Sequence, residues 1–184
     1  MSEALLVIDV QESFRHTAYW RTDDLAAYLA AQNRLIEGMH AAGIPVVRVF
    51  HVQQDGGPFS KDFNYVVPLS GSNPHADHTV EKHAHSALVD TDLVQWFKAR
   101  DIDHLIISGI RTEQCCETTT RHASDIGFKV DYVTEATLTF PMRHANGRVY
   151  APHEIQERTE LVLAGRFARI CTVDEVLARL PTLI

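Results

Sequence analysis

His104-Leu-Ile-Ile-Ser-Gly109-Ile-Arg-Thr-Glu-Gln-Cys115-Cys-Glu-Thr-Thr-Thr-Arg121 is the stretch on which the fold turns. The apolar run up to Ser108, bounded by Gly109, has the length and composition of a buried strand. The polar, threonine-rich segment behind it, closing at Gly127, reads as a helix with Thr112 as N-cap. Cys115 then falls in the first helical turn. Unpaired amides and the positive end of the helix dipole there favour a thiolate, so this thiol is expected to be more acidic than a free cysteine. Free cysteines are more often small core hydrophobes, and the motif alone leaves both readings open.

The same alternation runs through the chain. Ala4-Leu-Leu-Val-Ile-Asp9-Val reads as a first buried strand, and Asp24 to Ala42 carries helical spacing up to Gly43. Pro45 to Val52 is a second strand, Gln53 to Asp77 a long excursion, and Thr79 to Lys82 a short strand. A helix around Leu93 to Ala99, the strand at Leu105, the helix after Thr112 and a strand from Lys129 to Val133 follow. A last helix from His153 to Ala164, the segment Ala168 to Cys171 and a short helix to Leu180 complete the order. Strands alternating with helices imply an α/β fold whose parallel sheet is covered on both faces. Ligands bind such sheets at the carboxyl ends of the strands. Asp9, Lys82 and Cys115 all stand at or just beyond strand ends, so they are expected on one rim. A carboxylate can take the thiol proton, a lysine can hold the carboxylate, and the thiolate can attack a carbonyl. A lone Asp would more often simply end a strand, and a lone Lys would be a solvated surface residue. An Asp within Leu-Val-Ile-Asp-Val is harder to explain that way, because burying an unpaired carboxylate is costly.

At 184 residues and 45% hydrophobic content, the chain is expected to form one domain, residues 1–184. No apolar run is long enough to cross a bilayer, the N-terminus lacks a basic leader, and three cysteines have no framework spacing. A reduced, cytoplasmic protein is expected. A net charge of −7 disfavours nucleic acid and anionic membrane as partners.

These residues resemble the isochorismatase-like cysteine hydrolase superfamily, which includes nicotinamidases and other small-amide hydrolases. The resemblance rests on four ordered elements: Asp9-Val-Gln11 followed by Phe14; Lys82 before Ser86-Ala87; Gly109, Thr112, Cys115, Thr119 and Arg121; and Phe167-Ala168, Thr172 and Asp174-Glu175-Val176. It implies a three-layer αβα Rossmann-like fold with a six-stranded parallel sheet, an Asp9-Lys82-Cys115 triad, a small-molecule substrate and a homo-oligomer, dimer or tetramer. It also implies a cis peptide at Ile110–Arg111, with the Arg111 and Cys115 amides as oxyanion hole. Metal-dependent nicotinamidases carry an Asp-x-His pair where this chain has His51-Val-Gln-Gln-Asp55, so no metal and no other cofactor is expected. True isochorismatases cleave a vinyl ether and lack the nucleophilic cysteine, so C–N hydrolysis is favoured here. Ether hydrolysis, a noncatalytic binder and a thiol redox protein are the competing readings. A vicinal Cys115-Cys116 pair would close a strained ring, which disfavours the last. Arg111 stands where many relatives carry a small residue.

Gln11, Phe14, Trp20, His51 and Phe59 lie in or beside segments near the expected rim and are the candidate pocket residues. Adjacent helical residues point about 100° apart, so only one of Cys115 and Cys116 faces the site; the motif register favours Cys115 and leaves Cys116 to the core. Cys171 is expected to pack. His75, His78, His83 and His85 read as loop or subunit-contact residues. Strand alternation would put His83 and His85 on the face opposite Lys82.

Overall fold

The computed structural model describes residues 2–54 and 56–180. In chain order the elements are β1 (Ser2–Ile8), α1 (Leu25–Ala41), β2 (Val46–His51), β3 (His78–Lys82), α2 (Leu93–Lys98), β4 (Ile102–Ile110), α3 (Glu117–Asp125), β5 (Lys129–Leu138), β6 (Met142–Arg143), β7 (Val149–Tyr150), α4 (Pro152–Leu163), β8 (Arg169–Ile170) and α5 (Val173–Ala178). Six strands form a parallel sheet in the order β3-β2-β1-β4-β5-β8, and β6 and β7 pair as a separate antiparallel hairpin.

The near-continuous apolar strands follow from burial on both faces. Leu5 and Val7 enter one core with Leu35, Ile36 and Met39 of α1 and Val173 and Val176 of α5. Their neighbours Leu6 and Ile8 enter the other, with Leu93 and Phe97 of α2, Ala123 of α3 and Leu163 of α4. This period-two division makes the three layers, as expected. No helix among the described residues is long and apolar enough to cross a membrane.

Two differences from the sequence reading bear on the site. The first strand stops at Ile8, and Asp9 already has a left-handed φ of 53°. β5 runs on to Leu138 because its pairing with β4 jumps from Ile107↔Tyr132 to Gly109↔Thr137, a bulge inside a segment whose polar residues hide the strand pattern. The β6–β7 hairpin was not expected; two-residue strands carry no readable alternation.

At the centre of the rim β1 and β4 approach so closely that Gly109 leaves no room for a side chain. A Cβ there would lie 2.0 Å from the Ile8 carbonyl oxygen, and Gly109 has φ +132°. Gly109→Ala therefore faces both a backbone clash and a disfavoured dihedral, and is expected to cost about 2–4 kcal/mol of stability. Chemical denaturation measures this, and an unchanged midpoint would contradict the packing described.

Candidate active site

Four strand ends build the site. β1 delivers Asp9, whose amide donates to the Val49 carbonyl of β2 at 2.8 Å. β2 ends at His51 and β3 at Lys82. β4 ends at Ile110, the Ile110–Arg111 peptide is cis, and Thr112–Cys116 form a single π turn before α3. The turn is pinned from β5: the Tyr132 hydroxyl donates to the Thr112 carbonyl at 2.7 Å, and the Thr112 and Thr137 hydroxyls pair at 2.7 Å. Thr112 is thus a buried anchor rather than a helix N-cap, and Cys115 precedes α3 rather than sitting in its first turn.

Lys82 is the centre of the arrangement. Its ammonium, fully buried, lies 3.0 Å from Asp9 Oδ2, 2.9 Å from His51 Nδ1, 3.0 Å from the Ala84 carbonyl and 3.3 Å from Cys115 Sγ. Asp9 Oδ1 is buried with no hydrogen-bond partner among the described residues. Burial pushes the Asp9 carboxyl up, while Lys82 pulls it back. Burial, aided by the Lys82 charge, lowers His51 to about 4, so its imidazole is neutral and can accept from Lys82. The expected triad is thus assembled in space.

The thiol departs from expectation. Burial raises the Cys115 pKa, the Asp9 charge raises it further, and Lys82 only partly offsets them. The surround therefore disfavours a preformed thiolate. A helix-start argument is local and omits both the desolvation and the neighbouring charge, which dominate here. Cys116 is fully buried in the second core, and Cys171 packs in the first.

Among the described residues Asp9, His51 and Cys115 form a grouping with metal-ligand chemistry, their ligand atoms within 4.8 Å of one another. The Lys82 ammonium touches all three. It occupies the place a cation would take, and the residues do not fit a metal while it is there. Among the described residues no other group of ligand atoms meets this way: the His75 ring lies 3.8 Å from that of His40 and faces Asp77 at 3.3 Å, His78 faces Asp92 at 3.2 Å, and the His83 ring bonds the Val52 carbonyl at 2.9 Å.

His85 lies in an exposed turn, as a loop histidine would, but close to the thiol. β3 stops at Lys82, so strand alternation no longer applies, and the turn that follows brings His85 Nδ1 to 3.8 Å from Cys115 Sγ.

The expected pocket residues divide. Gln11 is fully buried and spends its amide on protein, accepting from the His51 amide at 2.7 Å and donating to the His51 carbonyl at 3.0 Å and Ser13 at 2.8 Å. It braces β1 against β2. Phe14 packs edge-on to Phe59 at 5.0 Å, Phe59 reaches His51 at 5.8 Å, and Trp20 meets Phe140 at 5.4 Å. Tyr19 and Phe140, which sequence reading did not single out, complete this aromatic wall. The Arg111 guanidinium lies over Tyr19 at 4.9 Å and pairs with Glu113 at 2.9 Å, and the Thr139 hydroxyl donates to Glu113 at 2.6 Å.

A profile of the isochorismatase domain matches residues 3–149. The chain belongs to the isochorismatase family. It is 31% identical over 115 residues to nicotinamidase 3 of Arabidopsis thaliana, spanning 62% of this chain and 52% of that protein. It is 28% identical over 178 residues to streptothricin hydrolase of Streptomyces noursei, spanning 95% of this chain but 60% of the relative. The crystal structure of a Burkholderia xenovorans family member, 33% identical, superposes with a TM-score of 0.88 over 97% of this chain and 86% of its own.

The directions of the thiol shift yield a test. Lys82 supplies the charge that lowers the thiol pKa, so Cys115 in Lys82→Met is expected to alkylate more slowly with iodoacetamide at pH 7 than in the wild type. Faster alkylation in that variant would contradict the electrostatics described.

Proposed function

We propose that the protein is a metal-independent cysteine hydrolase that cleaves a C–N bond of a small amide through a thioester. The observation that carries this reading is one buried ammonium in contact with both a carboxylate and a thiol. The family relatives named above, a nicotinamidase and a streptothricin hydrolase, support the reaction class.

In the first half-reaction Asp9 takes the Cys115 proton as the sulfur bonds to the substrate carbonyl carbon. Proton and electron pair separate only as the attack proceeds, so the thiol need not be ionised beforehand. The developing oxyanion is received by the Arg111 and Cys115 amides. The neighbouring Gln114 and Cys116 amides are already committed to the Arg111 carbonyl, at 3.2 and 3.3 Å, which supports the assignment to the amide between them. The C–N bond then breaks, Asp9 returns its proton to the leaving nitrogen, and ammonia or an amine departs. Water hydrolyses the thioester. Lys82 remains charged and holds Asp9 in place throughout. The aromatic wall and the Glu113 partner of Arg111 favour a small neutral substrate, because an acidic one would compete with an existing ion pair.

A panel of small carboxamides and ureides should show stoichiometric ammonia release, neutral members ahead of carboxylate-bearing ones. Cys115→Ala should lower turnover by at least about 10³-fold with the fold intact. Cys116→Ala should keep most activity and lose roughly 1–2 kcal/mol of stability through lost packing. Full activity in the Cys115 variant would overturn the assignment.

Since Lys82 fills the place of a cation, activity is expected to survive exhaustive chelation. One tightly bound transition metal per active chain, required for turnover, would contradict this.

A further inference from the structure

The reaction proposed above leaves one proton unassigned. Hydrolysis of the thioester requires a group that takes a proton from the attacking water and a proton for the departing sulfur. Asp9 is 1% exposed, with Oδ2 held by Lys82 and Oδ1 without a partner among the described residues. The attacking water comes from solvent, and the exposed group beside the sulfur is His85. Its ring is solvent-exposed, yet Nδ1 lies 3.8 Å from Cys115 Sγ.

The position of His85 is fixed by the turn that carries it. The Ala84 carbonyl accepts from Lys82 Nζ, and the His83 ring is held by the Val52 carbonyl. On the other side the Ser86 hydroxyl pairs with His122 of α3 at 2.8 Å, and the Ala87 amide donates to the Thr119 hydroxyl at 3.0 Å. Four anchors flank one residue whose own ring is directed at the reacting sulfur. The ring also lies parallel to that of His51, with centroids 6.3 Å apart. The charged and titratable groups that face it are Cys115 from the π turn, Asp9 from the end of β1, His51 from the end of β2, and Lys82 and His83 from the end of β3.

We propose that His85 is a further catalytic residue, the general base and then acid of the deacylation half-reaction. This rests on the hydrolase reading. Water attacks the thioester carbon as its proton passes to the His85 imidazole; the carbon–sulfur bond breaks; the imidazolium proton goes to the Cys115 sulfur. The products are the free acid and the resting thiol, with no other reactant consumed. The division of labour is spatial: Asp9 works on the buried side of the sulfur, and His85 on the side that water enters.

4-Nitrophenyl acetate separates the halves, because acylation releases nitrophenolate and deacylation sets the steady state. In stopped flow, His85→Gln and His85→Ala are expected to give a burst near one equivalent per Cys115, followed by steady turnover about 10²-fold below wild type. The acetylated enzyme should accumulate at Cys115 by mass spectrometry, and free imidazole should restore turnover in the alanine variant. His75→Gln, whose ring faces Asp77 rather than the sulfur, should behave as wild type. Steady turnover at the wild-type level in both His85 variants, or a burst lost in proportion to turnover with no imidazole rescue, would overturn the role. Those outcomes leave a functioning wild-type hydrolase. A wild-type protein that never acylates at Cys115 would instead remove the hydrolase reading, and this inference with it.

Discussion

The site depends on a lysine ammonium with no access to solvent. Removing such a charge from water costs several kcal/mol, and only close, well-directed partners make it tolerable. Lys82 has four: a carboxylate, an imidazole nitrogen, a carbonyl and a sulfur. Each comes from a different segment, so the requirement to satisfy one charge positions the end of β1, the end of β2, the turn after β3 and the π turn relative to one another. His51 can serve only because burial keeps its ring neutral with a free lone pair. A protonated imidazole would face the ammonium with like charge.

Burial is the main reason the thiol resists ionisation, and the buried cation offsets it only in part. Lys82 shares its favourable field between two acids, and the carboxyl, being the stronger, takes most of it. The remaining negative charge on Asp9 then opposes a second one on sulfur. A standing thiolate would be open to any electrophile that entered; under the reaction proposed above, the nucleophile would form only in contact with a carbonyl.

Much of this was legible in the chain. Asp9 and Cys115 stand just beyond readable apolar strands and Lys82 ends a short one, and parallel topology sends all such ends to one rim. Cys116 read as core because neighbouring residues in a helical turn cannot both face a site. What was not legible depended on where regular structure stops. His85 reads as a loop residue, but its approach to the thiol is hidden because β3 ends three residues earlier and alternation says nothing about a turn. The acidity of Cys115 was misjudged because helix-terminus electrostatics can be read locally, whereas desolvation depends on the whole packed surround. Tyr19 and Phe140 lie outside the strands and helices, where no periodicity marks them as wall residues, and Gln11 offered no hint that both ends of its amide were spoken for.

That amide has a consequence for motion. Gln11 both accepts from and donates to the backbone of His51, the Asp9 amide bonds the carbonyl of Val49, and the Val52 amide bonds the carbonyl of Lys82. The three adjacent strand tips are therefore stitched to one another beyond the regular ladder of the sheet. Fraying, which ordinarily begins at strand ends and proceeds strand by strand, has no independent starting point here. These three tips are tied to open together rather than one at a time, so Asp9, His51 and Lys82 keep their spacing as a group.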